Sequence, residues 1–237
     1  MKKLVLAVLS LLAAPNGVCI TTDDFSKDVQ FIGSDCHDNN RYIMVLGQSN
    51  ARNLIDGVPD LNYLWGVNNC SAAIYTAIHG SEPASFFMPS SDENSVYAKS
   101  TQFVKDHHDK LTQIVILQGE QDALSLKAAT AWSIKFATII GAYRADVGDS
   151  PKTPVIIVRL HDTAKLPVRS ELKYWPQVRE SQRLLANTID GVSTLQTDSG
   201  VIWDAENIHL TNGTQYRLLA KKIAAAIKKV NVSSVIK

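Results

Sequence analysis

The chain has few cysteines and no excess of charge of either sign. Its three cysteines among 237 residues are too few and too widely spaced for a structural zinc site, which takes cysteine and histidine in closely spaced pairs. The 24 basic and 23 acidic residues nearly balance, so no basic excess argues for nucleic acid or an anionic membrane as a partner. The sequence also lacks internal repeats and low-complexity tracts.

The longest hydrophobic run lies at the N-terminus. A basic start precedes an apolar segment from Leu4 to Ala14, and small residues follow up to Cys19. This order predicts a secretory signal peptide over residues 1–19, because the apolar segment is too short to span a bilayer. Its removal leaves 22 basic against 23 acidic residues, a net charge near −1. We therefore expect a secreted or periplasmic protein without a membrane span, with residues 20–237 as a single domain.

Export also determines what the cysteines can do. Cleavage after Cys19 leaves Cys36 and Cys70, and an oxidising compartment favours a disulfide between them. This bridge would join the segment before the first predicted strand to the loop that follows it. The alternative is a pair of free thiols.

Apolar runs of strand length alternate with segments of helical periodicity. We predict strands at Tyr42–Leu46, Ile114–Leu117, Val155–Leu160 and Val192–Leu195. Predicted helices cover residues 96–111, 123–146, 176–188 and 213–230. Strands that alternate with helices of this length form βαβ crossovers. Because these strands are apolar almost throughout, the pattern predicts a parallel sheet covered by helices on both faces.

Residues 51–93 have no sustained period and contain several glycines and prolines. We predict a long, loop-rich insertion here, with short strands near Tyr63–Trp65. Long loops at the functional end of a sheet usually shape a site. Four aromatic residues of this segment either line a groove for sugar rings or pack the loops onto the domain: Trp65, Tyr75, Phe86 and Phe87.

Polar residues follow the predicted strands: Gln48-Ser49-Asn50 after the first, Gln118-Gly119-Glu120 after the second and His161-Asp162 after the third. The carboxyl ends of parallel strands lie at one edge of a sheet. We therefore expect these groups to share that edge. The loop before the last helix can reach it too, with three more polar residues: Asp204, Glu206 and His209.

Ser49 is the candidate nucleophile of this site. A serine hydroxyl needs a positioned base at neutral pH, and His209 is the candidate base. Glu206 lies three residues before His209 and would orient it in a helical turn, whereas Asp204 is the alternative if the loop folds differently. The Gln118 side-chain amide and the backbone N–H of Ser49 are candidate donors to an oxyanion.

Two sequence blocks carry a family resemblance: Gly47-Gln48-Ser49-Asn50 after the first strand, and Gln118-Gly119-Glu120-x-Asp122 before a long helix. With an acid-x-x-His-Leu near the C-terminus, they resemble the SGNH hydrolase superfamily. The resemblance is closer to its sialate O-acetylesterase-like branch, including carbohydrate esterase family 6, and covers about residues 41–226. It implies a three-layer α/β/α, flavodoxin-like fold. It also implies removal of O-acetyl groups from carbohydrate through an acyl-serine, without a metal or organic cofactor.

The resemblance also implies a role for each matching residue. Ser49 is the nucleophile, His209 is the base and Gln118 lies on the oxyanion side. Glu120 and Asp122 would mainly brace the nucleophile loop through hydrogen bonds.

The sequence departs from the family pattern at two positions. Glu206 stands where the family usually has aspartate. The block that supplies the oxyanion glycine is best matched by Asn94-Ser95, so Asn94 would donate its backbone N–H, with Gly80 as the alternative. These departures motivate a second hypothesis, a carbohydrate-binding protein on an esterase fold with weak or lost catalysis. The sequence specifies neither the acetylated glycan nor the oligomeric state.

Overall fold

The computed structural model describes residues 28–33, 41–67, 70–107, 109–162, 170–197 and 200–235. The predicted signal peptide and Cys36 lie outside these ranges. The signal peptide and the Cys36–Cys70 disulfide therefore stay predictions. Within the described ranges, no helix is long and apolar enough to cross a membrane.

One sheet of six strands forms the centre of the molecule: β1 Phe31–Ile32, β2 Tyr42–Gly47, β3 Ala73–Ile78, β4 Gln113–Leu117, β5 Val155–Val158 and β6 Val192–Leu195. The order across the sheet is β1-β3-β2-β4-β5-β6. Strand β1 pairs antiparallel with β3, and the other pairs are parallel. The five parallel strands have the flavodoxin-like order, in which the winding direction reverses beside the first of them, β2.

Helices cover both faces of this sheet: α1 Ser49–Gly57, α2 Leu61–Trp65, α3 Val96–Asp106, α4 Leu126–Asp146, α5 Trp175–Thr188 and α6 Gly213–Val235. Successive residues of a strand point to opposite faces. Met44 accordingly packs into the core beneath α3, α4 and α5, while Val45 packs into the core beneath α1, α2 and α6. The predicted three-layer arrangement is confirmed.

The prediction of a loop-rich insertion over residues 51–93 is wrong. This segment contains most of α1, all of α2 and β3, and a short 3₁₀ helix at Ala84–Phe87. Strand β3 is buried along its whole length between β1 and β2. Tyr63–Trp65 belongs to a helix and not to a strand, because Leu61 and Trp65 face one apolar layer.

Gly47 ends β2 where the backbone of β4 approaches closely. A Cβ atom on Gly47 would lie 2.2 Å from the carbonyl oxygen of Leu117 and 2.8 Å from the Cβ of Ala51. The next residue, Gln48, donates its N–H to the same Leu117 carbonyl at 3.1 Å. Only glycine fits here, because α1 starts directly against the neighbouring strand.

Replacement of Gly47 by alanine should therefore destabilise the protein. We expect Gly47→Ala to lower the free energy of unfolding by about 1–3 kcal/mol or more, because the methyl group meets backbone atoms that cannot move aside. Chemical denaturation monitored by circular dichroism measures the change. Gly141→Ala is the matched control: a Cβ there has no neighbour within 4 Å. It should stabilise α4 by about 0.5–1 kcal/mol. Unchanged stability of Gly47→Ala would contradict the close approach.

Candidate active site

Ser49 lies in the first turn of α1, directly after the carboxyl end of β2. The chain winds from β2 to β3 on one side and on to β4 on the other, so Ser49 occupies the switch point where open α/β sheets bind ligands. Its Oγ lies 2.7 Å from Nε2 of His209. The His209 side chain is 35% exposed and Ser49 is half-buried, so a substrate can approach both. The structure therefore brings the predicted nucleophile and base into hydrogen-bonding contact.

His209 lies in a short loop closed by an antiparallel bridge between Trp203 and Leu210. Within this loop the Asp204 N–H donates to the carbonyl of His209 at 2.7 Å. The Ile208 N–H donates to Oδ1 of Asp204 at 3.0 Å. Oδ2 of Asp204 then lies 3.4 Å from Nδ1 of His209. The imidazole thus has a hydroxyl at one nitrogen and a carboxylate at the other.

The predicted preference for Glu206 over Asp204 is not supported by this geometry. The preference assumed a helical turn, in which residues three apart share a face. The chain instead forms an irregular turn, with Asn207 at a φ of 55°, and Glu206 is exposed to solvent. Within the described ranges no ion pair joins Glu206 to His209, and Asp204 takes the position beside the imidazole.

Asn50, directly after the nucleophile, ties α1 to the histidine loop. Its Nδ2 donates to the carbonyl of Ile208 at 2.9 Å and to Oε1 of Glu120 at 2.7 Å. Its Oδ1 accepts from the hydroxyl of Tyr216 at 2.8 Å. No role was predicted for Asn50, although its place in the Gly-Gln-Ser-Asn block is a sequence signal for one.

Gln118 does not have a free amide to offer an oxyanion. Its Nε2 donates to Oδ2 of Asp122 at 2.6 Å and to the carbonyl of Glu82 at 3.2 Å. Its Oε1 accepts from the indole N–H of Trp132. Because an amide nitrogen carries two hydrogens, both are already used. The predicted oxyanion role of Gln118 therefore conflicts with the structure, and Gln118 holds the loop after β3 instead.

Gln48 braces the same loop from the other side. Its Nε2 donates to the carbonyl of Glu82 at 2.7 Å, and its Oε1 accepts from the N–H of Gly119 at 3.2 Å. Asp122 completes the support, because its Oδ2 accepts from the N–H of Ala84 at 2.9 Å. Glu82 and Ala84 are thus held between the ends of β2 and β4. The prediction that Asp122 braces the nucleophile loop is therefore wrong, because Asp122 supports the loop after β3. Glu120 does brace the nucleophile loop, through the hydrogen bond from Asn50.

The two candidates for the second backbone donor lie in different environments. Asn94 is exposed before α3, and its N–H already donates to Oδ1 of Asp92 at 2.9 Å, so it does not fit the predicted role. Gly80 follows His79, whose N–H donates to the carbonyl of Gly47 at 3.1 Å, and therefore lies beside the end of β2. Within the described part of the chain, the N–H groups of Gly80 and Ser49 have no acceptor.

His161, at the end of β5, supports the histidine loop and does not face the cleft. It is buried, and its Nε2 contacts the carbonyl of Asn207. Its ring also packs against Trp203 with centroids 4.6 Å apart. Across the described residues, no group of three or more His, Cys, Asp or Glu side chains is arranged to hold a metal ion.

Glu120 is a buried carboxyl group behind the reacting atoms. Burial raises its pKa, and the hydrogen bond from Asn50 and the nearby His209 only partly offset this effect on the pKa. Its Oε2 has no hydrogen-bond partner among the described residues. Glu120 also borders a cavity of about 20 Å³, which is large enough for one water molecule.

Comparison with known families gives a match over more than half of the chain. The sequence model of a family described as carbohydrate esterase, sialic acid-specific acetylesterase, matches residues 68–229. The matched segment includes Gln118, Asp204 and His209 and begins after Ser49. No curated protein matches the chain in sequence.

Solved structures share the fold. A protein from Arabidopsis thaliana is 21% identical with a TM-score of 0.53, covering 66% of this chain and 60% of that one. A carbohydrate acetylesterase from Xanthomonas citri is 15% identical with a TM-score of 0.56, covering 80% and 56%. TesA is 14% identical with a TM-score of 0.51, covering 80% and 99%. The chain thus spans less than two thirds of the first two proteins, and at these identities the likeness confirms the predicted SGNH-type fold alone.

The raised pKa of Glu120 makes stability depend on pH. The unfolded chain releases this proton at the ordinary glutamate pKa, whereas the folded chain keeps it to higher pH. The wild type should therefore lose stability as pH rises through this interval. Glu120→Gln does not titrate. We expect the free energy of unfolding of Glu120→Gln, relative to that of the wild type, to increase with pH by at most about 1.4 kcal/mol per pH unit. The increase should stop above the pKa of Glu120 in the folded protein.

Urea denaturation of both proteins across the pH range measures this gain. Glu93→Gln is the matched control, because it makes the same substitution at an exposed side chain. A difference between Glu120→Gln and the wild type that does not change with pH would contradict the effect of burial.

Proposed function

Since the chain belongs to the carbohydrate esterase family of sialic acid-specific acetylesterases, we propose that it removes O-acetyl groups from carbohydrate through an acyl-serine intermediate. One observation carries this proposal. The Ser49 hydroxyl lies 2.7 Å from Nε2 of His209, and the opposite ring nitrogen faces Asp204 at 3.4 Å. When an imidazole lies between a serine hydroxyl and a carboxylate in this way, it activates the serine as a nucleophile.

The proposed first step forms the acyl-serine. Ser49 Oγ attacks the acetyl carbonyl carbon while His209 Nε2 takes the hydroxyl proton. Asp204 accepts the Nδ1–H of His209, which keeps the Nε2 lone pair towards Ser49 and stabilises the imidazolium ion. When the tetrahedral intermediate collapses, His209 returns the proton to the departing sugar oxygen. The products are a free sugar hydroxyl and an acetyl group on Ser49.

The proposed second step is the reverse with water in place of the sugar. His209 removes a proton from water, whose oxygen attacks the acetyl carbon, and the protonated Ser49 leaves as acetate is released. In both steps the oxyanion is held by the backbone N–H groups of Ser49 and Gly80. The Ser49 N–H also belongs to the positive end of the α1 dipole. This chemistry requires no metal or organic cofactor.

Export completes the proposal. Residues 1–19 have the pattern of a signal peptide, and acetylated carbohydrate outside the cytoplasm would then be the substrate. The alternative, a carbohydrate-binding protein with weak or lost catalysis, was motivated by Glu206 in the position of the usual aspartate and by the unmatched oxyanion glycine. The contact between Asp204 and His209 removes the first of these two motives and favours the esterase.

Replacement of the nucleophile should abolish hydrolysis. We expect Ser49→Ala to lower kcat for 4-nitrophenyl acetate and for acetate release from acetylated carbohydrate by about 10⁴-fold or more, because no other group can form the acyl-enzyme. Ser170→Ala, which changes an exposed serine, should retain the wild-type rates. Comparable rates for Ser49→Ala and the wild type would remove Ser49 from the mechanism.

The two acidic candidates can be separated by isosteric amides. We expect Asp204→Asn to lower kcat by about 10⁴-fold, because the amide favours the wrong imidazole tautomer. Glu206→Gln should stay within about twofold of the wild type, since its exposed side chain lies outside the contact. Rates on 4-nitrophenyl acetate, with thermal unfolding to verify the fold, measure both. The opposite ranking would assign the role to Glu206.

A further inference from the structure

Helix α4 is uncharged on its outer face as well as apolar on the face that packs onto the sheet. Its inner face is buried in the core through Trp132, Phe136 and Tyr143. Five residues three or four apart form the outer stripe of α4, and all are exposed: Thr130, Ile134, Thr138, Gly141 and Ala145. A helix without a charged face is typically buried on every side. The outer stripe of α4 therefore has the composition of a contact surface.

The charged side chains of α4 are kept away from this stripe. Lys135 is half-buried, and Arg144 is buried and donates to the carbonyl of Thr153 at 3.0 Å. From residue 128 to residue 145, a range that the structure describes throughout, no charged side chain is exposed. The outer face of α6, by contrast, presents Lys221 and Lys228 to solvent, as is usual for a surface helix.

The two threonines of the stripe use their hydroxyl groups within the helix. Thr130 donates to the carbonyl of Leu126 at 2.8 Å, and Thr138 donates to the carbonyl of Ile134 at 3.2 Å. Because these hydroxyl groups already have partners, another protein surface can cover them without leaving a polar group unsatisfied. The stripe can thus be buried at low cost.

The stripe has a projection and a depression, two helical turns apart. Ile134 is 71% exposed, the highest fraction among the large apolar side chains of the described residues. A Cβ atom on Gly141 would have no neighbour within 4 Å, so nothing inside this chain requires a glycine there. Glycine in a helix interior costs stability relative to alanine, but it lets another backbone or side chain approach closely. Gly141 thus leaves room for an apolar side chain from outside.

A second copy of the same stripe has the complementary shape. When two α4 helices pack antiparallel about a twofold axis, a contact between residues i and j occurs twice. With Ile134 of each copy on Gly141 of the other, Ala137 of each copy meets Thr138 of the other beside the axis. The residues that meet are small, so the two helices can approach closely.

The two ends of α4 carry opposite charges. Lys127 lies in the first turn and Asp146 is the last residue of the helix, and both are exposed. In the antiparallel pair, Lys127 of each copy lies within about one helical turn of Asp146 of the other. The helix dipoles are also antiparallel, which is favourable. A parallel pair would instead bring like charges together, so charge complementarity selects the antiparallel arrangement.

Exposed leucines extend the apolar surface beside the stripe. Leu126 at the start of α4 is 49% exposed, and Leu184 of α5 is 43% exposed. Leu184 follows Ser181 by three residues, and the Ser181 hydroxyl donates to the carbonyl of Ala129 in α4 at 2.7 Å. Residues three apart share a helix face, so Leu184 lies on the side of α5 that adjoins α4.

We propose that the outer face of α4, together with Leu184 of α5, is the interface of a twofold-symmetric homodimer. The partner is a second copy of this chain, because the projection, the depression and the end charges of the stripe each match another part of the same stripe. Helix α4 and the nucleophile Ser49 of α1 belong to opposite layers. The dimer would therefore leave the candidate active site open, and it would form whether or not the chain hydrolyses esters.

Sedimentation equilibrium of the purified protein from about 1 to 100 μM tests the dimer. We expect a dimer for the wild type. Ile134→Glu should raise the Kd of the dimer by about 100-fold or more, because it buries a carboxylate without a partner at two symmetric positions. The matched control is Ile202→Glu, which makes the same change at a side chain that is 61% exposed just before the histidine loop. It should retain the wild-type Kd.

Gly141→Gln separates close approach from loss of folding. Glutamine favours a helix more than glycine does, so the single chain should keep or gain thermal stability, measured by circular dichroism at concentrations where the protein is monomeric. The longer side chain fills the depression that receives Ile134, and the Kd of the dimer should rise about tenfold or more. A wild-type Kd for Gly141→Gln would contradict the contact between these two residues.

Charge reversal at the two ends of α4 tests the antiparallel arrangement. Lys127→Glu and Asp146→Lys should each raise the Kd of the homodimer, because each variant brings like charges together at both ends. An equimolar mixture of the two variants should form a heterodimer with nearly the wild-type Kd, since both end contacts then join opposite charges. A mixture that associates no better than either variant alone would overturn this arrangement.

Two further results would overturn the proposal as a whole. A wild type that remains monomeric throughout the concentration range would exclude a second copy as the occupant of this face. A wild-type dimer that Ile134→Glu leaves unchanged would place the interface elsewhere on the molecule.

Discussion

The hydrogen bond between Ser49 and His209 joins positions 160 residues apart, and the architecture of the domain determines whether it forms. Ser49 is fixed by the abrupt start of α1 after Gly47, whereas the histidine loop is fixed by α6. These two helices share one apolar layer, and Tyr216 of α6 bonds both Asn53 and Asn50 of α1. Packing of the last helix on the first therefore sets the position of the imidazole relative to the hydroxyl.

Burial of the polar residues behind this contact costs free energy, which indicates that these residues position the groups around them. Burial raises the pKa of the Asp122 carboxyl, although hydrogen bonds from Gln118 and Ala84 oppose the rise in pKa. Gln48 and Gln118 are both about 1% exposed, and both donate to one carbonyl, that of Glu82. A buried network is favourable only when its members are satisfied, and it then specifies one arrangement. Here that arrangement fixes Glu82 and Ala84 in the loop that follows β3.

Sequence patterns predicted those parts of the fold that local composition determines. Strands β2, β4, β5 and β6 are apolar runs with helices between them, and their predicted bounds agree with the structure to within two residues. Strand β3, Ala-Ile-Tyr-Thr-Ala-Ile, was missed because two alanines and a threonine weaken its pattern, and its strand state depends on pairing with β2. Helix α1 was missed because it is only nine residues long, contains few apolar residues and begins at the predicted nucleophile.

The sequence predicted which residues form the site better than it predicted the hydrogen bonds between them. Motif blocks identified Ser49 and His209, which the structure brings together, but a spacing of three residues favoured Glu206, because that argument holds only in a helix. The turn between Asp204 and His209 depends on tertiary contacts from Asn50 and His161, which reach the loop from α1 and the end of β5. No local pattern records such contacts.

The disposition of the amide side chains has a chemical consequence. Gln48, Asn50 and Gln118 all form hydrogen bonds to other protein groups, so they do not need to reorganise when charge develops at the substrate. In the proposed mechanism the oxyanion then depends on the backbone N–H groups of Ser49 and Gly80, which lie just after the ends of β2 and β3. Donors fixed in advance stabilise a transition state better than side chains that must rotate into place. The sheet itself would thus preorganise the site, and the side-chain amides of Gln48, Asn50 and Gln118 would hold the segments after the two strands in fixed positions.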